Sequence, residues 1–114
     1  MVWQAGIELV AEVYRLSAKL PFDEKYGLRS QLQRAAVSVP ANIAEGWGRM
    51  HRKEYLHHLS IAQGSLAETE THLIIAVRLG FLKEADTKVV NEIAKKTGKM
   101  LIGLRHALQK TLNQ

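Results

Sequence analysis

The stretch HRKEYLHHLSIAQGSLAETETHLIIAVRL, residues 51–79, decides the fold class. Leu59, Ala62, Leu66, Thr69, Leu73 and Ala76 recur along it at alternating steps of three and four residues. Such steps return to one face of an α-helix at every turn and mark a coiled-coil-like seam. A strand would need strict apolar–polar alternation, which no part of the chain shows. Leu56, Ile61, Ile74, Ile75 and Val77 widen the apolar surface beyond one stripe. An apolar strip left over in this way marks an interface. Gly80 follows directly and is placed to cap the C-terminus of the helix.

Three further helices follow from the same periodicity on either side. A helix over about residues 24–46 carries Leu28, Leu32, Ala35, Ala36, Val39 and Ile43. Pro40 lies inside that pattern, yet the stripe keeps its phase across it, so one helix kinked at Pro40 is expected rather than two. Gly46, Trp47 and Gly48 read as the turn that ends it. Before it, residues 3–19 place Trp3, Ile7, Val10, Ala11, Tyr14 and Ala18 on one face, and Pro21 stops the helix. Asp23 is positioned to cap the next helix, with Glu24 in its first turn. A fourth helix spans about residues 84–112, with Val89, Val90, Ile93, Thr97, Met100, Leu101, Leu104, Leu108 and Leu112. Gly98 and Gly103 weaken it by about 1 kcal/mol each relative to Ala. Short connections force consecutive helices to run antiparallel. The expected fold is therefore all-α: an antiparallel up-down-up-down four-helix bundle in one domain, residues 1–114.

Composition narrows the function classes. A chain of 114 residues builds one modest core, not a multi-lobed enzyme with a deep cleft. The absence of cysteine removes disulfides, thiolate metal sites and a cysteine nucleophile together. The opening residues MVWQAGIELVAEVYRL have no basic leader, and Glu8 and Glu12 interrupt the apolar run. No uncharged run approaches the roughly 20 residues of a membrane span. A cytoplasmic location without membrane contact is expected.

Catalytic and metal constellations are missing. Glu54 and His57 form one Glu-x-x-His pair, but a di-metal carboxylate bundle needs two such pairs on different helices. His57 and His58 are adjacent and point about 100° apart on a helix, so they cannot chelate together. Asp23 and Asp86 both lie near helix starts, where capping is their ordinary use. Gly46-x-Gly48 has no preceding strand and no third glycine, so it is not a dinucleotide loop. A non-catalytic protein is expected, with no catalytic residue, metal or cofactor.

What remains is charge and one unusual segment. Sixteen Lys and Arg against eleven Asp and Glu leave a net +5, with pI near 9.7. Such a balance suits either a plainly solvated basic surface or attraction to a polyanion, above all nucleic acid. The nucleic-acid-binding candidates are Arg29, Arg49, Arg52, Lys53 and Arg78, with Lys95, Lys96 and Lys99 on the fourth helix. Between residues 34 and 68, Arg34, Asn42, Glu45, Arg49 and Glu54 stand among small residues: Ala35, Ala36, Ala41, Ala44, Gly46 and Gly48, then Ala62, Gly64, Ser65 and Ala67. Two readings are open. Arg34, Glu45 and Glu68 form a satisfied network across tightly packed second and third helices, or Arg49, Arg52 and Lys53 form an exposed anion-binding edge.

The blocks QLQRAAVSVPANIAEGWGR (31–49), KEYLHHLSIAQGSLAETETHL (53–73) and LGFL (79–82), with VYRLSAKLPFDEKYGLRSQL (13–32), resemble one family over nearly the whole chain. It is the four-helix bundle family named for intervening sequences in bacterial large-subunit ribosomal RNA genes, also called the S23 ribosomal protein family. Its signature falls here on Gln31, Arg34, Ala35, Ser38, Pro40, Asn42, Ile43, Glu45, Gly46, Arg49, Glu54, Gly64, Ser65 and Glu68, with Tyr55 at the aromatic position after Lys-Glu. The resemblance implies a ring-like homopentamer. It also brings in a distant relative, the accessory variability protein of diversity-generating retroelements, a basic pentamer that binds nucleic acid and a reverse transcriptase. The expectation is a homo-oligomeric basic bundle that binds RNA or DNA or scaffolds a nucleoprotein. The alternative is a protein-interaction adaptor without a direct nucleic-acid role.

Overall fold

The computed structural model describes residues 1–21 and 27–112. These form four α-helices: α1 (Val2–Ser17), α2 (Leu28–Gly48), α3 (Arg52–Arg78) and α4 (Lys88–Leu112), with a 3-10 turn at Glu84–Thr87 leading into α4. The fold is an all-α four-helix bundle, drawn out to 50 × 24 × 19 Å. Helix α2 lies against α1 and α3, and α4 lies against the other sides of α1 and α3. Contacts between neighbours run in opposite senses. Lys19 meets Asp86 while Glu8 meets Lys96, and Ser38 meets Ser65 while Asn42 meets His58.

The seam of α3 is buried at all six positions, from Leu59 to Ala76. It packs on Leu32, Ala36, Val39 and Ile43 of α2 and on Val90, Ala94 and Leu101 of α4. Buried hydroxyls need partners in such a core. Thr69 donates to the Ser65 carbonyl at 2.8 Å, Thr97 to Ile93 at 2.8 Å, and Ser17 to Val13 at 2.7 Å. Each satisfies itself on its own helix four residues back.

Helix α1 corrects the expected face. Trp3, Ile7 and Tyr14 are 47, 45 and 48% exposed, and Ala11 and Ala18 are exposed too. The buried stripe is Ala5, Leu9, Val13 and Leu16, continued by Leu20 after the helix. Helix α1 thus carries two apolar faces, and the one with the aromatic residues points outward.

Helix α2 continues through Pro40, which is buried. An interior proline forgoes one backbone hydrogen bond and crowds the preceding turn, a cost of about 3 kcal/mol. Its ring packs against α1 at Gly6, where an added Cβ would lie 3.1 Å from the Pro40 Cβ. The expected turn at Gly46–Gly48 is also corrected, since all three residues are helical and the chain reverses over Arg49–His51. Gly46 serves close packing instead. A Cβ there would stand 2.8 Å from the His58 Cβ and 2.9 Å from Tyr55 Cδ1. Within the reversal, Met50 takes the left-handed conformation, φ 63°.

The end of α3 matches its expected cap. Gly80 has φ 82°, its amide donates to the Val77 carbonyl at 3.0 Å, and the Phe81 amide donates to Ala76 at 2.9 Å. This is a Schellman closure. Helix α4 proper starts four residues later than expected, after the 3-10 turn. Asp86 Oδ2 there accepts the Lys83 amide at 2.9 Å and Oδ1 accepts Lys19 Nζ at 2.9 Å. Those bonds, the backbone one first, hold the Asp86 carboxyl below its ordinary value. The expected capping role of Asp23 and Glu24 and the side chain of Leu112 lie outside the described residues.

Candidate functional site

The polar side chains expected to form a buried Arg34–Glu45–Glu68 network do not do so. Arg34 and Glu45 lie eleven residues apart on α2, about 16 Å along the axis at 1.5 Å per residue, and all three side chains are exposed. Glu45 accepts Arg49 Nη2 at 2.7 Å on its own helix, and Glu68 Oε1 lies 3.5 Å from His72 Nε2. Arg34, Gln31, Ser38, Ser65 and Glu68 line an open polar depression of about 430 Å³ on the α2–α3 face. The polar chain across these helices is a different one. Ser65 Oγ donates to Ser38 Oγ at 2.8 Å, and Asn42 Nδ2 donates to Ser38 Oγ and to the Ser38 carbonyl, both at 2.9 Å. Asn42 Oδ1 lies 3.0 Å from His58 Nδ1. An amide oxygen can only accept, so His58 carries its proton on Nδ1 in this arrangement.

The other signature positions have separate explanations. Gly46 permits the close approach of α2 and α3. Glu54 sits in the first turn of α3, where the helix dipole favours a negative charge. Gly64 is exposed with open space beside it, and Ala41, Ala44, Gly48 and Ala67 also face outward. Only part of the small-residue theme therefore serves α2–α3 packing. His72 is buried, with neither ring nitrogen hydrogen-bonded.

The basic candidates divide into three groups. Arg29 begins α2 and Arg78 ends α3, at the end of the bundle away from the α2–α3 reversal. At 1.5 Å per residue, Arg29 is about 30 Å from Arg49 along α2. Lys95, Lys96 and Lys99 are exposed along α4, and Lys96 Nζ reaches Glu8 Oε2 at 3.4 Å. Arg49, Arg52 and Lys53 do gather, at the reversal between α2 and α3. Arg49 is bonded to Glu45, and that carboxylate raises its guanidinium above the ordinary value. Arg52 and Lys53 make no salt bridge with a described carboxylate, and both are exposed.

Sequence reasoning missed what accompanies this cluster. Trp47, in the last turn of α2, is 74% exposed and meets Tyr55 of α3 edge to face, ring centroids 6.1 Å apart. Beside them lies a cleft of about 460 Å³, lined also by Leu108 of α4 and by Met50, His51 and Arg52 at the reversal. A second cleft of about 410 Å³ lies against Trp47 and Tyr55, bounded by Trp3 of α1. Burial raises the Tyr55 phenol above its ordinary value. The last turn of α4 carries the exposed Lys110, two residues past Leu108, while Arg105 is anchored further along the bundle by a hydrogen bond to Gln63 in the middle of α3. Among the described residues, no three His, Asp or Glu side chains gather as a metal site would need, and no helix is long and apolar enough to cross a membrane.

Comparison with known proteins places this geometry in a family. Among solved structures, the chain is similar to a crystal structure of a protein with unknown function from the S23 ribosomal protein family of Bacteroides thetaiotaomicron VPI-5482. The TM-score is 0.84 at 23% identity, over 92% of this chain and 98% of that one. No curated protein matches the chain. The sequence model of the 23S rRNA-intervening sequence proteins matches residues 1–103, which take in α1, α2, α3 and most of α4. By that match the chain belongs to the family of 23S rRNA-intervening sequence proteins.

Proposed function

We propose that this protein is a non-catalytic, self-associating bundle that binds nucleic acid through the basic end at the α2–α3 reversal. The observation that carries the reading is uncompensated positive charge. Residues 45–58 and 106–111 hold four Lys and Arg (Arg49, Arg52, Lys53 and Lys110) against two Glu, and one Glu is engaged with Arg49. Phosphates bind such a surface by displacing condensed counterions, which makes affinity fall steeply with salt. Self-association is supported by the outward apolar face of α1. Trp3, Ile7 and Tyr14 form one stripe, and a monomer gains nothing by leaving it in water. A homo-oligomer is the expected assembly, with five copies the number the family resemblance implies. It would multiply the +5 of each chain and make phosphate contact multivalent.

Titration with structured RNA and with duplex DNA, at low and at moderate salt, tests the reading. Binding at low salt that weakens strongly as salt rises is expected. No binding at low salt would remove it. The same α1 stripe also suits a protein-interaction adaptor. A co-purifying protein whose binding is insensitive to salt would favour that second reading.

A further inference from the structure

We propose that the Trp47 cleft takes an unpaired nucleobase of single-stranded RNA or DNA, with Arg52 against the adjoining phosphate; this rests on the nucleic-acid reading above. The cleft is lined by the aromatic rings of Trp47 and Tyr55, the apolar side chain of Leu108, and the Arg52 guanidinium. Its volume of about 460 Å³ lies within the roughly 300–1,000 Å³ of small-molecule sites. No carboxylate lines it. Aromatic rings beside a cation that makes no salt bridge suit a flat aromatic group that carries an anion on a short tether, which is the chemistry of a nucleotide. A neutral apolar peptide would draw nothing from the Arg52 charge. A base inside a duplex cannot offer its π-face, because both faces are already stacked. The cleft therefore distinguishes single strands from duplexes, which the surrounding charge alone does not.

Trp47 meets Tyr55 at 74° between ring planes while most of the indole lies in water, open to a ligand. Gly48 beside it has open space where a Cβ would stand, so nothing on that residue obstructs approach. Met50, 89% exposed at the reversal, is a flexible apolar side chain able to settle over a stacked base.

The test uses the full chain with Trp3→Phe, which leaves Trp47 as its sole tryptophan. Short oligouridylate, oligothymidylate and a duplex of the same length are titrated while Trp47 fluorescence and affinity are followed. Quenching by either single strand, well beyond that by the duplex, is expected. Trp47→Ala in the natural chain should weaken single-strand binding about 5- to 150-fold. It should leave duplex binding, helicity and thermal midpoint unchanged, because the side chain is largely exposed. Stacking is not electrostatic, so Trp47→Ala should keep the slope of log K against log salt. Arg52→Ala should make that slope shallower by about 0.7 for a single strand. Equal quenching by duplex and single strand would overturn the assignment while leaving the nucleic-acid reading intact. So would a Trp47→Ala variant that binds single strands normally, or one that loses only its self-association. Absence of all binding at low salt would remove both.

Discussion

At Gly46 the two messages a glycine can carry, turn and close approach, come apart. In sequence it stands with Trp47 and Gly48 as a helix stop, yet the helix runs on, and the missing side chain admits His58 and Tyr55. Gly46→Ala should therefore destabilise by about 1–3 kcal/mol through overpacking, because both obstructing atoms belong to the facing helix. Urea denaturation of the two proteins checks this, and an unchanged midpoint would show that the helices can move apart freely. Arg34 makes the opposite case. It is a signature position without a salt-bridge partner among the described residues, and it is exposed. Arg34→Ala should change stability by no more than about 0.5 kcal/mol. A drop of several degrees in Tm would restore the buried network that Ser38, Asn42, Ser65 and His58 replace here.

Among the helices, α3 was the most legible and α1 the least, for one physical reason. The seam of α3 is the only apolar stripe of that helix with an unbroken three–four rhythm, so its spacing alone identifies the buried face. Helix α1 offers two. Ala5, Leu9, Val13 and Leu16 point inward, while the larger Trp3, Ile7 and Tyr14 point outward. Hydrophobicity favours the aromatic stripe, whereas regular aliphatic spacing into Leu20 marks the true core face. Leu108 explains why the Trp47 cleft was hidden: it comes from another helix, about sixty residues away in the chain. The Arg49–Arg52–Lys53 cluster was legible because the three are neighbours in sequence. The connection into α4 carries its own prediction. The lowered Asp86 carboxyl contributes stability that is fully present above its unfolded value of 3.8 and is lost as pH falls through its folded value. Asp86→Ala should thus lower Tm at neutral pH, and the difference should vanish below that folded value. A gap in Tm that persisted in strong acid would assign the effect to something other than the carboxylate.

Two features of the whole molecule remain outside the folding of one chain: the outer face of α1 and the basic end. The first predicts assembly. Ile7→Asp combined with Tyr14→Ser removes apolar surface that the monomer leaves half exposed, so the variant should keep its helicity and lose its higher mass by light scattering. A variant of unchanged mass would show that this face is not the contact between copies. The second carries the central claim, that charge at the α2–α3 reversal holds nucleic acid, and its most direct measurement is the salt dependence of RNA binding by the natural chain and by Arg52→Ala/Lys53→Ala. The account predicts log K falling linearly with log salt, and a slope shallower in the double variant by about 1.4 on a single strand or about 1.8 on a duplex. Equal slopes in the two proteins, or no binding by the natural chain at low salt, would contradict it.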